Sequence, residues 1–285
     1  MDKNSLDKFI TEALALEAET AKEAGALGFM TRALVQATMP HSKQTGTEFT
    51  RKNGLFTLTI LAPEKIGLPY GSIPRLLIAW ITTEAVRTKN RQIILGDSLS
   101  KFMEQLDLVP TGGRWGTITR FKDQTCRLLS SSIKCFYENE ETWAVKNIDV
   151  IEDANLWWNP KKPDQATLFE STLTLSERFF SETINSPVPV DMRALKLLSR
   201  SPLALDIYCW LTYRMSYLKK PTKIPWGALC VQFGSDYARP RDFKNRFSNQ
   251  LRKVCVVYQG AKVDIEEDFL ILYPSKPHIP LISCG

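Results

Sequence analysis

The chain has 285 residues, of which 44% are hydrophobic and 24% charged, with a formal net charge of +6. That balance belongs to a folded soluble protein with a sizeable core, for which no disulfide staple is required. The surplus of positive charge is modest, so its placement matters more than its total.

Residues 3–37 read as a helix, with Leu6, Phe9, Ile10, Ala13, Leu14 and Leu16 among polar neighbours. Such a helix covers part of a core or meets a second subunit or another protein. Residues 40–46 break the pattern. Asn53 and Gly54 then mark a hairpin between strand-like runs over 49–62. From Pro74 the pattern returns to helix, with Leu76, Leu77, Ile78, Trp80, Ile81 and Ala85 in a wide apolar stripe. A short strand at 93–95 follows, then a helix over 99–106 with Asp97 or Ser98 at its cap. A glycine-rich turn at 110–116 leads into a second long helix over 117–136. Strands at 142–151 and 166–175 flank a turn at 159–164 that is rich in Pro and Lys.

The same order recurs in the second half. An apolar helix spans 202–218, followed by an extended piece at 223–225 and a short helix at 226–233. After a turn at 234–238, Pro240 sits at the first position of a helix that runs to about 254. Strands at 256–265 and 269–273 close the chain. Trp80, Phe102 and Phe121 correspond to Trp210, Phe233 and Phe243. The spacing is near 130 residues, which suggests a duplicated domain rather than a solenoid. Helix, strand, helix, turn, helix and hairpin is the winged-helix order.

Segments 111–137 and 235–255 each carry four more basic than acidic residues. In the first, Ile118, Phe121, Thr125, Leu128, Leu129, Ile133 and Phe136 form an inner face, and Arg120, Asp123, Arg127, Ser130 and Lys134 an outer one, with Thr119 and Gln124 at its edges. In the second, Phe243, Phe247, Leu251 and Val254 face inward, and Arg241, Asn245, Ser248, Asn249 and Arg252 outward. Arg can bond guanine and Asn adenine through paired contacts in a major groove. Arg120 and Gln124, and Arg241 and Asn245, lie in the N-terminal halves that read bases. Arg239, Lys244, Arg246 and Lys253 suit phosphates. Arg114, Thr117, Thr119, Lys161 and Lys162 complete the candidate DNA contacts. A single basic outer face is usually only a solvated one; two in equivalent places of two repeats point to DNA. The second wing turn, Glu266, Glu267 and Asp268, is acidic and a poor phosphate ligand.

Other chemistry is missing from the sequence. His41 and His278 have no second ligand at metal spacing, so neither a metal nor a cofactor is expected. No G-x-x-x-x-G-K-[ST] occurs despite Gly112, Gly113 and Gly116. No H-x-H exists for a rolling-circle initiator, and a Ser–His–Asp hydrolase is poorly served. The chain reads as a non-enzyme. Its six cysteines, Cys126, Cys135, Cys209, Cys230, Cys255 and Cys284, read as reduced thiols of a cytoplasm. The charged first residues do not resemble a signal peptide. No apolar run approaches the roughly 20 residues of a membrane span.

The stretch from Arg32 to Ile133 resembles RepA-type plasmid replication initiators. The runs that carry the resemblance begin at Arg32, Pro40, Gly67, Pro74, Leu95, Phe102 and Thr111. They include Gly67-Leu68-Pro69-Tyr70-Gly71 and, the longest, Thr111-Gly112-Gly113-Arg114-Trp115-Gly116-Thr117. The resemblance implies a protein that binds direct repeats of an origin as double-stranded DNA and helps open adjacent duplex. It implies recruitment of the host's replicative helicase, contact with a host initiator and, in many members, a homodimer. The bacterial cytoplasm is the expected location, with no membrane partner.

The sequence therefore points to an α+β protein of two tandem winged-helix domains, at 46–190 and 191–285, behind an N-terminal helical segment, 1–45. Two other readings stay open. One is a transcriptional repressor using the same parts. The other is an interaction scaffold whose basic faces bind acidic proteins.

Overall fold

The computed structural model describes residues 3–234 and 239–279. Helix α1 (Lys3–Ala18) stops well short of residue 37. Gly25 then adopts a φ of 64°, and the chain turns back as β1 (Leu27–Thr31), followed by α2 (Arg32–Gln36). Gly28 in β1 lies so close to Met192 that a Cβ would stand 2.4 Å from its sulfur. The single helix expected over 3–37 is thus two helices and a strand. Each of the two glycines costs a helix about 1 kcal/mol relative to Ala, and the strand gains a partner farther along the chain.

The hairpin expected at Asn53 and Gly54 is present. There β2 (Glu48–Asn53) pairs antiparallel with β3 (Phe56–Leu61), and Gly54 supplies a φ of 58°. Next come α3 (Ser72–Thr88), β4 (Gln92–Gly96), α4 (Leu99–Gln105) and α5 (Thr117–Leu129). Helix α5 does not reach residue 136. Its expected continuation forms β5 (Ser132–Glu138), which returns as β6 (Trp143–Asn147). Ile133 and Phe136 fit a helical spacing, but the burial alternates: Ile133 and Cys135 are buried, Lys134 and Phe136 half-buried. That is a strand's period of two. Ile133 faces Ile60 of β3, so Lys134 lies in a sheet and leaves the expected outer face of the helix.

The remaining elements are β7 (Ile151–Asn155), β8 (Ser171–Leu175), α6 (Glu177–Asn185), β9 (Pro187–Asp191), α7 (Met192–Leu198) and α8 (Pro202–Tyr217). The chain then forms β10 (Thr222–Pro225), α9 (Trp226–Phe233), α10 (Pro240–Val257), β11 (Val263–Ile265) and β12 (Phe269–Leu272). Helix α10 takes residues 256 and 257 from the strand expected over 256–265, of which only 263–265 is extended. Of the turn expected at 234–238, residues 235–238 lie outside the described residues.

The strands form four small antiparallel sheets, with orders β1-β9, β2-β3-β5-β6, β4-β8-β7 and β10-β12-β11. The last two repeat one topology: first strand, last strand, middle strand. Each belongs to a unit of helix, strand, two helices and two strands. The first unit carries the β5–β6 hairpin as an insertion. Residues that match across the repeat make the same contact. Trp80 meets Phe102 edge-on at 4.8 Å, and Trp210 meets Phe233 edge-on at 5.6 Å. Phe102 and Phe233 are both fully buried. Truncating such a Phe to Ala costs about 3–5 kcal/mol.

A buried charge cluster joins the two units. Arg75 of α3 and Asp206 of α8 are 3% and 7% exposed. Arg75 Nε donates to Asp206 Oδ1 at 2.7 Å, and Nη2 donates to Oδ2 at 2.7 Å. Its other hydrogens reach the carbonyls of Met39, Pro40 and Gly71. His41 Nε2 lies 2.7 Å from Asp206 Oδ2. Burial pushes the His41 imidazole below its ordinary value, and the Asp206 carboxylate only partly counters it. Burial alone would raise the Asp206 carboxyl. Arg75 and His41 together outweigh it and hold that carboxyl below its ordinary value. The runs around Pro40 and Gly67 therefore fasten the N-terminal segment to both units. Strand β9, which spans the expected domain boundary between residues 190 and 191, pairs with β1. Thr31 meets Thr183 at 3.1 Å beside it.

Candidate nucleic-acid interface

Helices α5 and α10 occupy the same place in the two units. Hydrogen bonds and a close-packed glycine shape the turn before α5. A Cβ on Gly116 would stand 2.2 Å from the Thr111 carbonyl oxygen, so only glycine fits. Thr111 N donates to Thr117 Oγ1 at 2.8 Å, and Thr117 N donates to Thr111 Oγ1 at 2.9 Å. The Thr117 hydroxyl donates to Val109 O at 2.5 Å, and that of Thr119 to Gly113 O at 3.0 Å. Thr117 and Thr119 thus use their hydroxyl protons to shape the turn. The turn in turn presents Arg114, exposed, with its guanidinium 5.2 Å from the Trp115 ring.

Arg120 is exposed on α5, as a groove-facing residue must be. Two other expected contacts lie elsewhere. Gln124 is 4% exposed; its Oε1 accepts from Tyr70 N at 2.8 Å and its Nε2 donates to Asp123 Oδ2 at 3.0 Å. The Arg127 side chain is 14% exposed, with Nε donating to Asp123 Oδ2 at 2.8 Å. It also lies 5.6 Å over the Tyr70 ring and donates to Leu68 O at 3.3 Å. The segment 67–71 packs on that edge of α5, and a helical wheel cannot see it. Lys122, absent from the expected contacts, is also exposed on α5. Its charge alone was the available signal.

The loop 156–170 between β7 and β8, expected as the first wing, folds back on α4. Ser98 Oγ and Ser100 N both donate to Pro163 O at 3.1 Å, and Thr167 N donates to Asp97 O at 3.0 Å. Lys161 and Lys162 stay exposed. A cleft of about 770 Å³ separates this wing from the turn before α5, with Gly112, Gly113, Arg114, Thr119 and Lys161 in its lining, and Glu104 and Asp164 opposing them.

On α10 the inner face is as expected: Phe243, Phe247, Leu251 and Val254 are fully buried. Arg241, Asn245, Arg246, Asn249 and Arg252 are exposed, as is Arg239 just before the helix. Ser248 is not on the outer face; it is 5% exposed. Arg252 donates to Asn249 Oδ1 at 3.0 Å, which orients both side chains. Lys253 is half-buried. Lys244, also half-buried, donates from Nζ to Glu267 O at 2.5 Å and lies 5.4 Å from the Trp226 ring. It therefore braces the acidic turn between β11 and β12.

Several titratable groups away from these rows are buried. Tyr208 OH lies 2.7 Å from His278 Nδ1, and burial lowers the His278 imidazole. Burial pushes the Cys135 thiol up to about 12 and that of Cys255 to about 11. Cys126, on α5, is exposed; Cys284 lies outside the described residues. Among the described residues, no group of three His, Cys, Asp or Glu converges as metal ligands. No described helix is long and apolar enough to cross a membrane.

Residues 68–226, more than half of the chain, match the family described as plasmid-encoded RepA protein. The chain belongs to that RepA family. Its matched region runs from the segment that packs on α5 to the start of α9. No curated protein sequence matches the chain. Among solved structures, the fold is similar to that of domains 2 and 3 of RctB, with a TM-score of 0.53 and 11% identity over 85% of this chain and 96% of that one. A selenomethionine derivative of the same two domains gives a TM-score of 0.55 and 11% identity over 84% and 94%. At such identity the likeness concerns the fold alone.

Proposed function

We propose that this RepA-family chain is a plasmid replication initiator. It binds direct repeats of an origin as double-stranded DNA, without catalysis. It helps open the adjacent duplex and recruits the host's replicative helicase in the bacterial cytoplasm. The observation that carries this reading is the repetition of one arrangement. Helices α5 and α10 hold the same place in two units of identical strand order, and each exposes cationic side chains, Arg120 and Lys122 on α5 and Arg241, Arg246 and Arg252 on α10.

We read both units as winged helices, with α5 and α10 as recognition helices and the β7–β8 and β11–β12 connections as wings. The units correspond to residues 46–190 and 191–285. Their firm junction through Arg75 and Asp206 would hold the two helices at a set spacing along the DNA. Base contacts fall to Arg120, Arg241 and Asn245. Phosphate contacts fall to Arg114, Lys161, Lys162, Arg239, Arg246, Asn249, Arg252 and Lys253.

Footprinting on DNA that flanks the gene tests this reading. A set of protected repeats is the expected result. Log affinity should fall with log salt with a slope of about −5 or steeper, for six or more phosphate contacts. A flat slope, or no protected sequence, rejects it. Replication of a plasmid that carries the protected repeats then separates an initiator from a repressor.

A further inference from the structure

A groove of about 530 Å³ lies on the side of α9 turned away from α10. Helix α9 packs on α10 through Trp226 and Phe233, whose rings lie 5.9 and 5.5 Å from Phe247. The opposite face of α9, with Ala228 and Val231, forms one wall of the groove, and Val231 is 56% exposed. The second wall comes from the other unit, the β2–β3 turn with Lys52. The far end is the last turn of α8, with Arg214.

Three features define what fits there. Lys52, Arg214 and Lys223 line the groove, and no carboxylate does. Lys219 and Lys220, both exposed, follow α8 directly and add to the charge. The floor is apolar, with Ile224, Ala228 and Val231. Finally, β10 runs along the groove as the outer strand of its sheet, paired only with β12. Its outer edge has no strand partner among the described residues. An outer strand edge takes an extended peptide by main-chain hydrogen bonds.

We propose that this groove docks a partner protein through an extended segment whose side chains alternate between acidic and apolar. The alternation follows from a strand's period of two. One set of side chains meets the cations and the other meets the Ile224–Val231 floor. A single-stranded nucleic acid suits the groove less well, because it needs open aromatic faces for stacking. Tyr213 and Tyr217 meet edge-on at 5.1 Å, and the Arg214 guanidinium covers the Tyr217 ring at 5.1 Å. The proposal does not depend on the DNA reading, since the groove residues lie on neither α5 nor α10.

The test is a selection. Random 12-residue peptides displayed on phage are selected on the full chain, with the K52E/K223E variant as counter-target. Both substituted lysines are exposed. The expected consensus alternates Asp or Glu with apolar residues. A synthetic consensus peptide should bind at least tenfold more weakly to K52E/K223E, and it should slow amide exchange in β10. Duplex DNA binding by K52E/K223E should equal that of the wild type, which also shows that the variant folds. Several results overturn the proposal: no enrichment over the counter-target, a consensus without acids, or unchanged exchange in β10. So does displacement of the peptide by dodecathymidine, which makes the occupant a nucleic acid. Self-association that K52E/K223E abolishes makes it a second copy, and a loss of duplex binding in that variant makes the groove part of the DNA interface.

Discussion

Asp206→Ala removes the central acceptor of the buried cluster between the two units. In the wild type, Arg75 gives Asp206 two charge-assisted hydrogen bonds, each of 2.7 Å, and His41 Nε2 lies 2.7 Å from the same carboxylate. Removing one partner of a buried ion pair costs about 3–5 kcal/mol, because the other charge stays buried without compensation. Here Arg75 keeps three backbone carbonyls as acceptors. The cost should therefore lie at the lower end, about 3 kcal/mol. For a chain of this size that lowers Tm by roughly 6–12 °C. Urea unfolding followed by circular dichroism reads the change directly. Arg75→Met combined with Asp206→Leu should be less destabilising than the two single losses added together, since no charge is then stranded. If Asp206→Ala unfolds within about 0.5 kcal/mol of the wild type, the cluster does not join the units and the reasoning fails.

Three further outcomes follow from the geometry. Burial depresses His41 and His278, so the unfolded chain takes up their protons first. Stability from this source is complete above the ordinary histidine value of 6.5 and is lost as pH falls through the depressed folded values. Below pH 6.5 each histidine should steepen the loss by up to about 1.4 kcal/mol per pH unit; His41→Gln should remove one such contribution, as thermal unfolding from pH 7 to 5 will show. Arg241→Ala and Asn245→Ala should each leave stability within about 0.5 kcal/mol yet weaken specific DNA binding by about 1–3 kcal/mol at one position of the site. Lys253→Ala should instead weaken binding to all sequences and reduce the salt slope by about 1, and unchanged affinities in all three would remove α10 from the interface. Gln124→Ala should behave in the opposite way. It should cost about 1–3 kcal/mol of stability, because Tyr70 N loses its acceptor, with base preference unchanged; a changed preference in a binding-site selection would return Gln124 to the interface.

Much of the fold is legible along the chain because its signals are local. Asn53 and Gly54 encode their hairpin, and Pro240 opens α10, because each acts within a few residues. The inner row of α10 follows from a period of 3.6, and Phe243, Phe247, Leu251 and Val254 are all buried. The two-fold repetition is also readable, since Trp80 and Trp210 lie at matching places and make matching contacts. Local patterns cannot report a partner that arrives from far away. Ile133 and Phe136 satisfy a helical spacing, and only the presence of β3 makes their segment a strand. On the wheel Gln124 falls at the edge of the outward face and Arg127 within it, and only the 67–71 segment turns them into supports for Tyr70 and Leu68. Arg75 and Asp206 look like solvated charges on two helices 131 residues apart. Their pairing, and with it the fixed relation between the two candidate recognition helices, was decided by tertiary structure. The physical reason is that hydrophobic period and turn chemistry act over one or two turns of chain, whereas burial, charge pairing and sheet partnership depend on which distant surfaces meet.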